Sequence, residues 1–361
     1  MDFRLNEDQQ ALQAAAKDFL RKEVTSTVVR AAFDSPDGDA PELYKKMAEL
    51  GWLCISVPED LGGLGMSIIE QAVVCEQLGY VNAPGPYMVT ACAAMPALVA
   101  LGASDLLPPL LDGSKRATVA SGTDHIIDAQ MADAVLIVQD GKATWYETDE
   151  FEVTPSPSVD GTRRQASVRL TGKGRELGPS TELEFAKEPG PARAIDAITA
   201  LLCAEMVGCM QWALDTTVQY LKDREAFGRP IGVFQAVQHK AADMLVHTES
   251  SRSAAYYAAY ASAKGLPDGR FAASVAKAYC SDAVHSVTGE CIQLHGGIGF
   301  TWEHDAHLYF KRATTNRILL GDAGFHRDRA LALDPARKRA EAGTGFVAPS
   351  MVSHRVRLEE R

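Results

Sequence analysis

Residues 293–300 read QLHGGIGF, and they interrupt a chain that is helical in pattern on both sides. Gln293 and His295 stand just before the break, and Gly296, Gly297 and Gly299 make it. Two structures use such a run. One is a tight helix-to-helix turn; the other is bare backbone laid against something negatively charged, which glycine permits because no Cβ stands in the way. A second stretch, REAFGRPIGVFQ from Arg224 to Gln235, repeats the idea. It sets an arginine at the end of one long helical pattern, a Phe227-Gly228 turn, and a glutamine at the start of the next. The residues alone leave both readings open.

The surrounding elements follow from periodicity. From Asn6 to about Met95 apolar residues recur at steps of three and four, as in LNEDQQALQAAAKDFLRKEV and PELYKKMAELGWL, which predicts amphipathic helices opened by a polar cap or a proline. Between Lys115 and Glu188 the texture changes to short β-branched runs such as ADAVLIVQDG and RQASVRLTG, parted by Gly, Asp and Pro. These predict a small antiparallel sheet. After EPGPARA come long helical patterns from Ala192 to about Leu333, with small residues inside that suit close packing in a bundle. The expected class is mainly α with a small β domain: an N-terminal helical domain (1–112), a short antiparallel middle domain (113–190), a C-terminal helical bundle (191–333) and a partner-clasping or flexible tail (334–361).

Composition excludes several functions. A net charge of −11 argues against nucleic acid, whose phosphates need a basic face. No stretch approaches the ~20 uninterrupted apolar residues of a membrane span. The start MDFRLNEDQQ is acidic and polar where a signal peptide is basic and then apolar, so a cytoplasmic protein is expected. The seven cysteines lie in apolar helical stretches without C-x-x-C spacing, as reduced buried thiols do. His239 and His285 have no carboxylate or cysteine at metal spacing, so no metal site is expected.

Taken with ELGWLCISVPEDLGGLG near the start, the segments REAFGRPIGVFQ and QLHGGIGFTWE make the chain resemble the acyl-CoA dehydrogenases, flavoproteins that oxidise acyl-CoA thioesters to trans-2-enoyl-CoA. The resemblance covers nearly all of residues 1–333 and keeps the order of elements. It implies the acyl-CoA dehydrogenase fold and FAD as cofactor. It further implies that Arg224, Phe227, Gln235, Gln293, Gly296 and Gly297 contact the nucleotide end of the FAD bound by a neighbouring subunit. The residue types suit this: a planar guanidinium pairs bidentately with diphosphate oxygens.

Other parts of the pattern are missing. The reaction needs a carboxylate to take the α-proton and the flavin to accept hydride. Where many members carry I-Y-E-G-T, this chain has Ile318, Leu319, Leu320, Gly321 and Asp322. The alternative glutamate position, on the first long helix of the bundle, aligns with Ile198. The middle-domain T-E-x-x-x-G-S-D segment is absent, and Asp322 would repel a diphosphate in this chain's own site. The resemblance therefore implies a heterodimer or α2β2 heterotetramer, in which a sister subunit supplies the flavin pocket and catalytic glutamate while this chain clamps a shared FAD. That pattern is similar to the dehydrogenases of bacterial steroid side-chain degradation, which makes a steroid-type acyl-CoA the implied substrate.

Two alternatives stand beside it. The chain is a self-sufficient enzyme with Glu205 as base, two helical turns beyond Ile198 on nearly the same face; or it is a non-catalytic acyl-CoA-binding scaffold. A hydrogen bond or interhelical salt bridge is the other explanation for Glu205. Glu303 and His304 are expected to cap the following helix, and the tyrosines of AAYYAAYASA to lie in the core.

Overall fold

The computed structural model describes residues 4–334; apart from Asp334, the expected tail lies outside them. The N-terminal region is helical for local reasons. Asn6 Oδ1 accepts from the Gln9 backbone N–H at 2.8 Å, and the Gln9 side chain accepts from the Asn6 N–H at 3.0 Å. This reciprocal cap opens α1 (Glu7–Glu23) and satisfies two donors that lack a partner inside the helix. α2 (Ser26–Asp34) and α3 (Pro41–Glu49) follow, and Ser67 with Glu70 caps α4 (Ile68–Tyr80) in the same way. Three short helices, α5 (Tyr87–Val89), α6 (Met95–Ala100) and α7 (Pro108–Leu111), complete the region, with one π turn at Thr90–Ala94.

The strands form two sheets, which corrects the expectation of a single antiparallel one. β1 (Ala117–Ala120), β3 (Ala134–Gln139), β4 (Lys142–Glu147) and β7 (Arg175–Pro179) make one sheet in the order β1-β3-β4-β7; β2 (Ile126–Ile127), β6 (Gln165–Leu170) and β5 (Phe151–Ser156) make the other. β1 runs parallel to β3, with Ala117 opposite Ala134. The cause is β2: the chain leaves the first sheet to pair antiparallel with β6 and returns in the original direction. Alternation within each run predicts strands but not this crossover.

The C-terminal bundle holds α8 (Ala194–Asp223), α9 (Gln235–Ala263), α10 (Gly269–His295), α11 (Ala306–Ile318) and α12 (Ala323–Leu333). A two-residue hairpin, β8 (Glu225–Ala226) with β9 (Arg229–Pro230), joins α8 to α9. α8 is buried along most of its length and is the one described helix long and apolar enough to cross a membrane; 83% of its apolar window is covered by the fold, as for the core helix of a bundle. It meets α4 backbone to backbone. A Cβ on Gly79 would collide with the Glu205 carbonyl, and one on Gly208 with the Glu76 carbonyl, so glycine at both positions sets the crossing distance. One apolar core then runs through the N-terminal helices, the inner face of the first sheet and the bundle.

Candidate functional site

α8 ends where the first motif begins. The Arg224 N–H donates to the Tyr220 carbonyl at 2.9 Å, closing the helix, and the Arg224 carbonyl accepts from the Ile231 N–H at 2.8 Å. The Arg224 side chain is exposed. Asp223 is engaged by Gln219 at 2.8 Å, and the Arg224 guanidinium has neither ion pair nor hydrogen bond among the described residues. Phe227 and Gly228 turn the hairpin, both with positive φ (56° and 76°). Such a turn favours Asn-Gly; a phenylalanine there is a costly exception. Its ring is 93% exposed, and its one ring contact among the described residues is edge-to-face with Phe234, 6.1 Å between centroids.

The second motif emerges at the same end of the bundle. The Tyr220 ring packs against His295 at 4.4 Å between centroids, which sets the end of α10 beside the end of α8. His295 Nδ1 lies 2.7 Å from the Cys291 carbonyl. The three glycines that follow have different reasons for being glycine. A Cβ on Gly299 would meet the Ile292 carbonyl at 2.6 Å, so it is fixed by packing. Gly296 adopts φ 63°, a turn requirement. Gly297 has an ordinary φ and nothing within 4 Å of where its Cβ would stand. Its bare backbone faces open space, as do the exposed side chains of Gln293 and, at the first turn of α9, Gln235. Arg224, Phe227, Gln235, Gln293, Gly296 and Gly297 thus gather at one end of the bundle. Phe300 and Trp302, 85% and 64% exposed, extend the same segment; their place in GFTWE after the glycines is the only sequence signal for them.

The two positions where a glutamate was sought lie elsewhere, and together. Ile198 near the start of α8, and Leu319 and Leu320 after α11, line one cavity of about 940 Å³ between the bundle and the strands. Ile126, Ile127 and Leu183 share its floor, and its acidic members, Asp124, Asp140 and Glu184, are exposed at its rim. Leu320 holds a left-handed φ of 58°. Its carbonyl lies 2.8 Å from His326 Nε2, and buried Lys277 donates to the carbonyls of Gly321 (2.9 Å) and Arg317 (3.1 Å). Burial brings the Lys277 ammonium down to about 8. Asp322 serves as the cap of α12, its Oδ1 accepting from the Phe325 N–H at 2.8 Å.

Glu205 lines no part of that cavity. It is 1% exposed and accepts from Arg163 through both oxygens at 2.8 Å, from Arg312 Nη1 at 2.8 Å and from Asn316 Nδ2 at 2.8 Å. Burial alone would raise its carboxyl, but the two guanidinium groups prevail and bring it down to about 2. Arg312 also donates to Asp160 at 2.5 Å and to Thr162 Oγ1 at 2.7 Å, so the network ties the loop before β6 to α8 and α11. Asp128, beside it and equally buried, has no hydrogen-bond partner for either carboxylate oxygen among the described residues; burial pushes it up to about 7, against the pull of Arg163 and Arg312.

The tyrosines of α9 meet the expectation only in part, Tyr257 packing against the core from its edge. Ala255, Ala258, Ala259 and Ala261 form the core face, whereas Tyr256, Tyr257 and Tyr260 are half-buried; Tyr256 donates to Glu76 at 2.8 Å. A helix at this crowded position packs by its smallest side chains. His304 Nδ1 accepts from the Ala306 N–H at 3.1 Å at the start of α11, and Glu303 is exposed. All seven cysteines are free and buried, and no metal-binding group occurs among the described residues.

Residues 6–114 match the acyl-CoA dehydrogenase N-terminal domain and residues 194–332 the acyl-CoA dehydrogenase C-terminal domain. The chain is 36% identical to acyl-CoA dehydrogenase IpdE2 of Mycolicibacterium smegmatis, over 88% of this chain and 96% of the relative. It is 34% identical to IpdE2 of Mycobacterium tuberculosis, over 87% and 93%. Among solved structures it resembles the ChsE4-ChsE5 complex of M. tuberculosis (TM-score 0.83, 25% identity, 94% of this chain and 99% of that one). It also resembles a variant of the Tcur3481-Tcur3483 steroid ACAD (TM-score 0.82, 27% identity, 92% and 99%).

Proposed function

The chain belongs to the acyl-CoA dehydrogenase family, and from that premise we propose that it works as the nucleotide-clamping subunit of a two-subunit enzyme. A sister chain carries the flavin pocket and the catalytic glutamate. The observation that carries this reading is the aliphatic pair Ile198 and Leu320 where a catalytic carboxylate was sought, with the clamp too distant to serve a cofactor there. Arg224 and the Gly296–Gly297 backbone lie at one end of α8, and the cavity with Ile198 and Leu320 lies toward the other, twenty-six residues away along the helix, about 39 Å at 1.5 Å per residue. That exceeds the length of an extended flavin dinucleotide. The clamp therefore serves a cofactor whose ring lies outside this chain.

The residues at that end suit FAD. Arg224 offers an unpaired planar fork to diphosphate oxygens, and Gly297 leaves room for the diphosphate to approach backbone N–H groups. Gln235 and Gln293 supply neutral donors and acceptors, and the Phe227 ring an exposed apolar face. When bound, FAD supplies the acceptor for a hydride from the β-carbon of the thioester. The two positions where a catalytic glutamate was sought hold Ile198 and Leu320, both aliphatic, and Glu205, held low between two arginines, is a poor acceptor. A partner carboxylate completes the reaction. The likeness to a steroid ACAD and to a two-protein complex supports a steroid-type acyl-CoA as substrate and an unlike dehydrogenase chain as partner.

The test is flavin content. The chain purified alone is expected to lack stoichiometric flavin absorbance, and the chain purified with its sister to show one FAD per heterodimer. One FAD per chain in the isolated protein would contradict the reading.

A further inference from the structure

The cavity at Ile198 and Leu320 has lost the carboxylate that proton abstraction needs, yet it has not filled in. Three features keep it built. Leu320 is held in a left-handed conformation that a leucine rarely adopts. The loop behind it is pinned by a buried ammonium, Lys277, and by His326. In its lining Ala93 belongs to the π turn at Thr90–Ala94, a distortion that is frequent at functional sites. At about 940 Å³ the cavity matches the size of pockets that enclose a drug-sized ligand.

Its chemistry narrows the occupant. Aliphatic side chains with Phe185 and Phe325 make up most of the lining, and among the described residues neither lysine nor arginine lines it. Asp124, Asp140 and Glu184 stand exposed at the rim, where His125 is the one basic side chain among the described residues. Three carboxylates at the entrance repel phosphates. A CoA thioester or a flavin dinucleotide would bring its diphosphate into that field without a cation to meet it. We propose that this cavity is a ligand site of the chain in its own right, for a neutral, phosphate-free hydrophobe of drug-like size. It lies about 39 Å along α8 from the nucleotide clamp.

Two fluorescent probes of similar size test this on the full chain: neutral N-phenyl-1-naphthylamine and anionic 8-anilinonaphthalene-1-sulfonate. The neutral probe should bind saturably at one site per chain, at least tenfold more tightly than the anionic one. Ile198→Glu, which sets a carboxylate in the floor, should weaken the neutral probe at least tenfold. Val138→Asp, on the half-buried wall, serves the same purpose if the first variant does not fold. Asp124→Lys/Glu184→Lys at the exposed rim should tighten the anionic probe and leave the neutral one unchanged. Absent saturation overturns the proposal, as do equal affinities in the wild type or indifference to both cavity substitutions in folded protein. Displacement of the neutral probe by FAD at one equivalent would overturn both the proposal and the reading that this chain holds no flavin ring. Failure of the probe titration alone leaves that reading standing.

Discussion

Ile198 and Arg224 stand on one helix, twenty-six residues apart and so about 39 Å from each other. The first faces the cavity between bundle and strands and the second faces solvent. A single cofactor cannot touch groups at both places within one chain, so the clamp at Arg224 and the cavity at Ile198 belong to different cofactor sites. Their separation is the physical reason for assigning the clamp to a neighbour's FAD, and it makes several outcomes specific.

The glycines of the 296–299 turn separate clamp from scaffold. Gly299→Ala places a Cβ against the Ile292 carbonyl and should destabilise the isolated chain by about 1–3 kcal/mol, as overpacking does. Gly297→Ala meets nothing within 4 Å among the described residues and should leave the chain's stability within about 0.5 kcal/mol, while weakening flavin retention in the heteromer. Thermal melts of the isolated variants, paired with flavin content of the complexes, check both; a Gly297→Ala chain as unstable as Gly299→Ala would make the whole turn structural.

Glu205→Gln is expected to lower stability and spare chemistry. Removing one partner of a buried ion pair leaves uncompensated charge and costs about 3–5 kcal/mol, here because Arg163 and Arg312 both point at the vacated carboxylate. Turnover per folded complex should stay within about tenfold, roughly 1.4 kcal/mol of barrier. Denaturant unfolding and steady-state rates at a permissive temperature measure the two separately. A loss of several decades in rate with unfolding unchanged would place the base in this chain.

Asp128 gives the fold a pH dependence. Its carboxyl is raised from 3.8 to about 7 in the folded chain by burial, against Arg163 and Arg312 and with Asp160 adding to the rise. A raised carboxyl means that the folded state binds the proton more tightly than the unfolded one between those values. Its contribution is therefore present in acid and lost as pH climbs through about 7, amounting to roughly 4 kcal/mol by linkage. Asp128→Asn, which mimics the protonated form, should melt progressively higher than wild type as pH rises from 5 to 8. Parallel curves over that range would show that Asp128 does not titrate there.

What could be read before the structure was whatever is local. The cap at Asn6, the helix ends at Arg224 and His295, and the turn at Phe227 are written in consecutive residues, and they fall where spacing predicts. The parallel β1–β3 pair was not legible, because it depends on β2 leaving for the other sheet. Neither was the network of Arg163, Glu205 and Arg312, whose members are 42 and 107 residues apart in the chain. Lys277 left a faint signal, a lone charge among small residues in SVAKAYC, but only the loop carbonyls of Arg317 and Gly321 give it a purpose. The meeting of Ile198 and Leu320 in one cavity likewise joins two helix ends through tertiary packing alone.

The cross-subunit clamp is tested most directly by titrating FAD into the apo heteromer that carries substitutions at Arg224 of this chain only. The guanidinium's charge-assisted bonds are worth about 1.5–3 kcal/mol, so Arg224→Ala should weaken FAD about ten- to a hundredfold. Arg224→Lys should recover part of the loss, since an ammonium keeps the charge without the planar fork. Equal FAD affinity for the wild-type and Arg224→Ala complexes would contradict the clamp and the division of labour built on it.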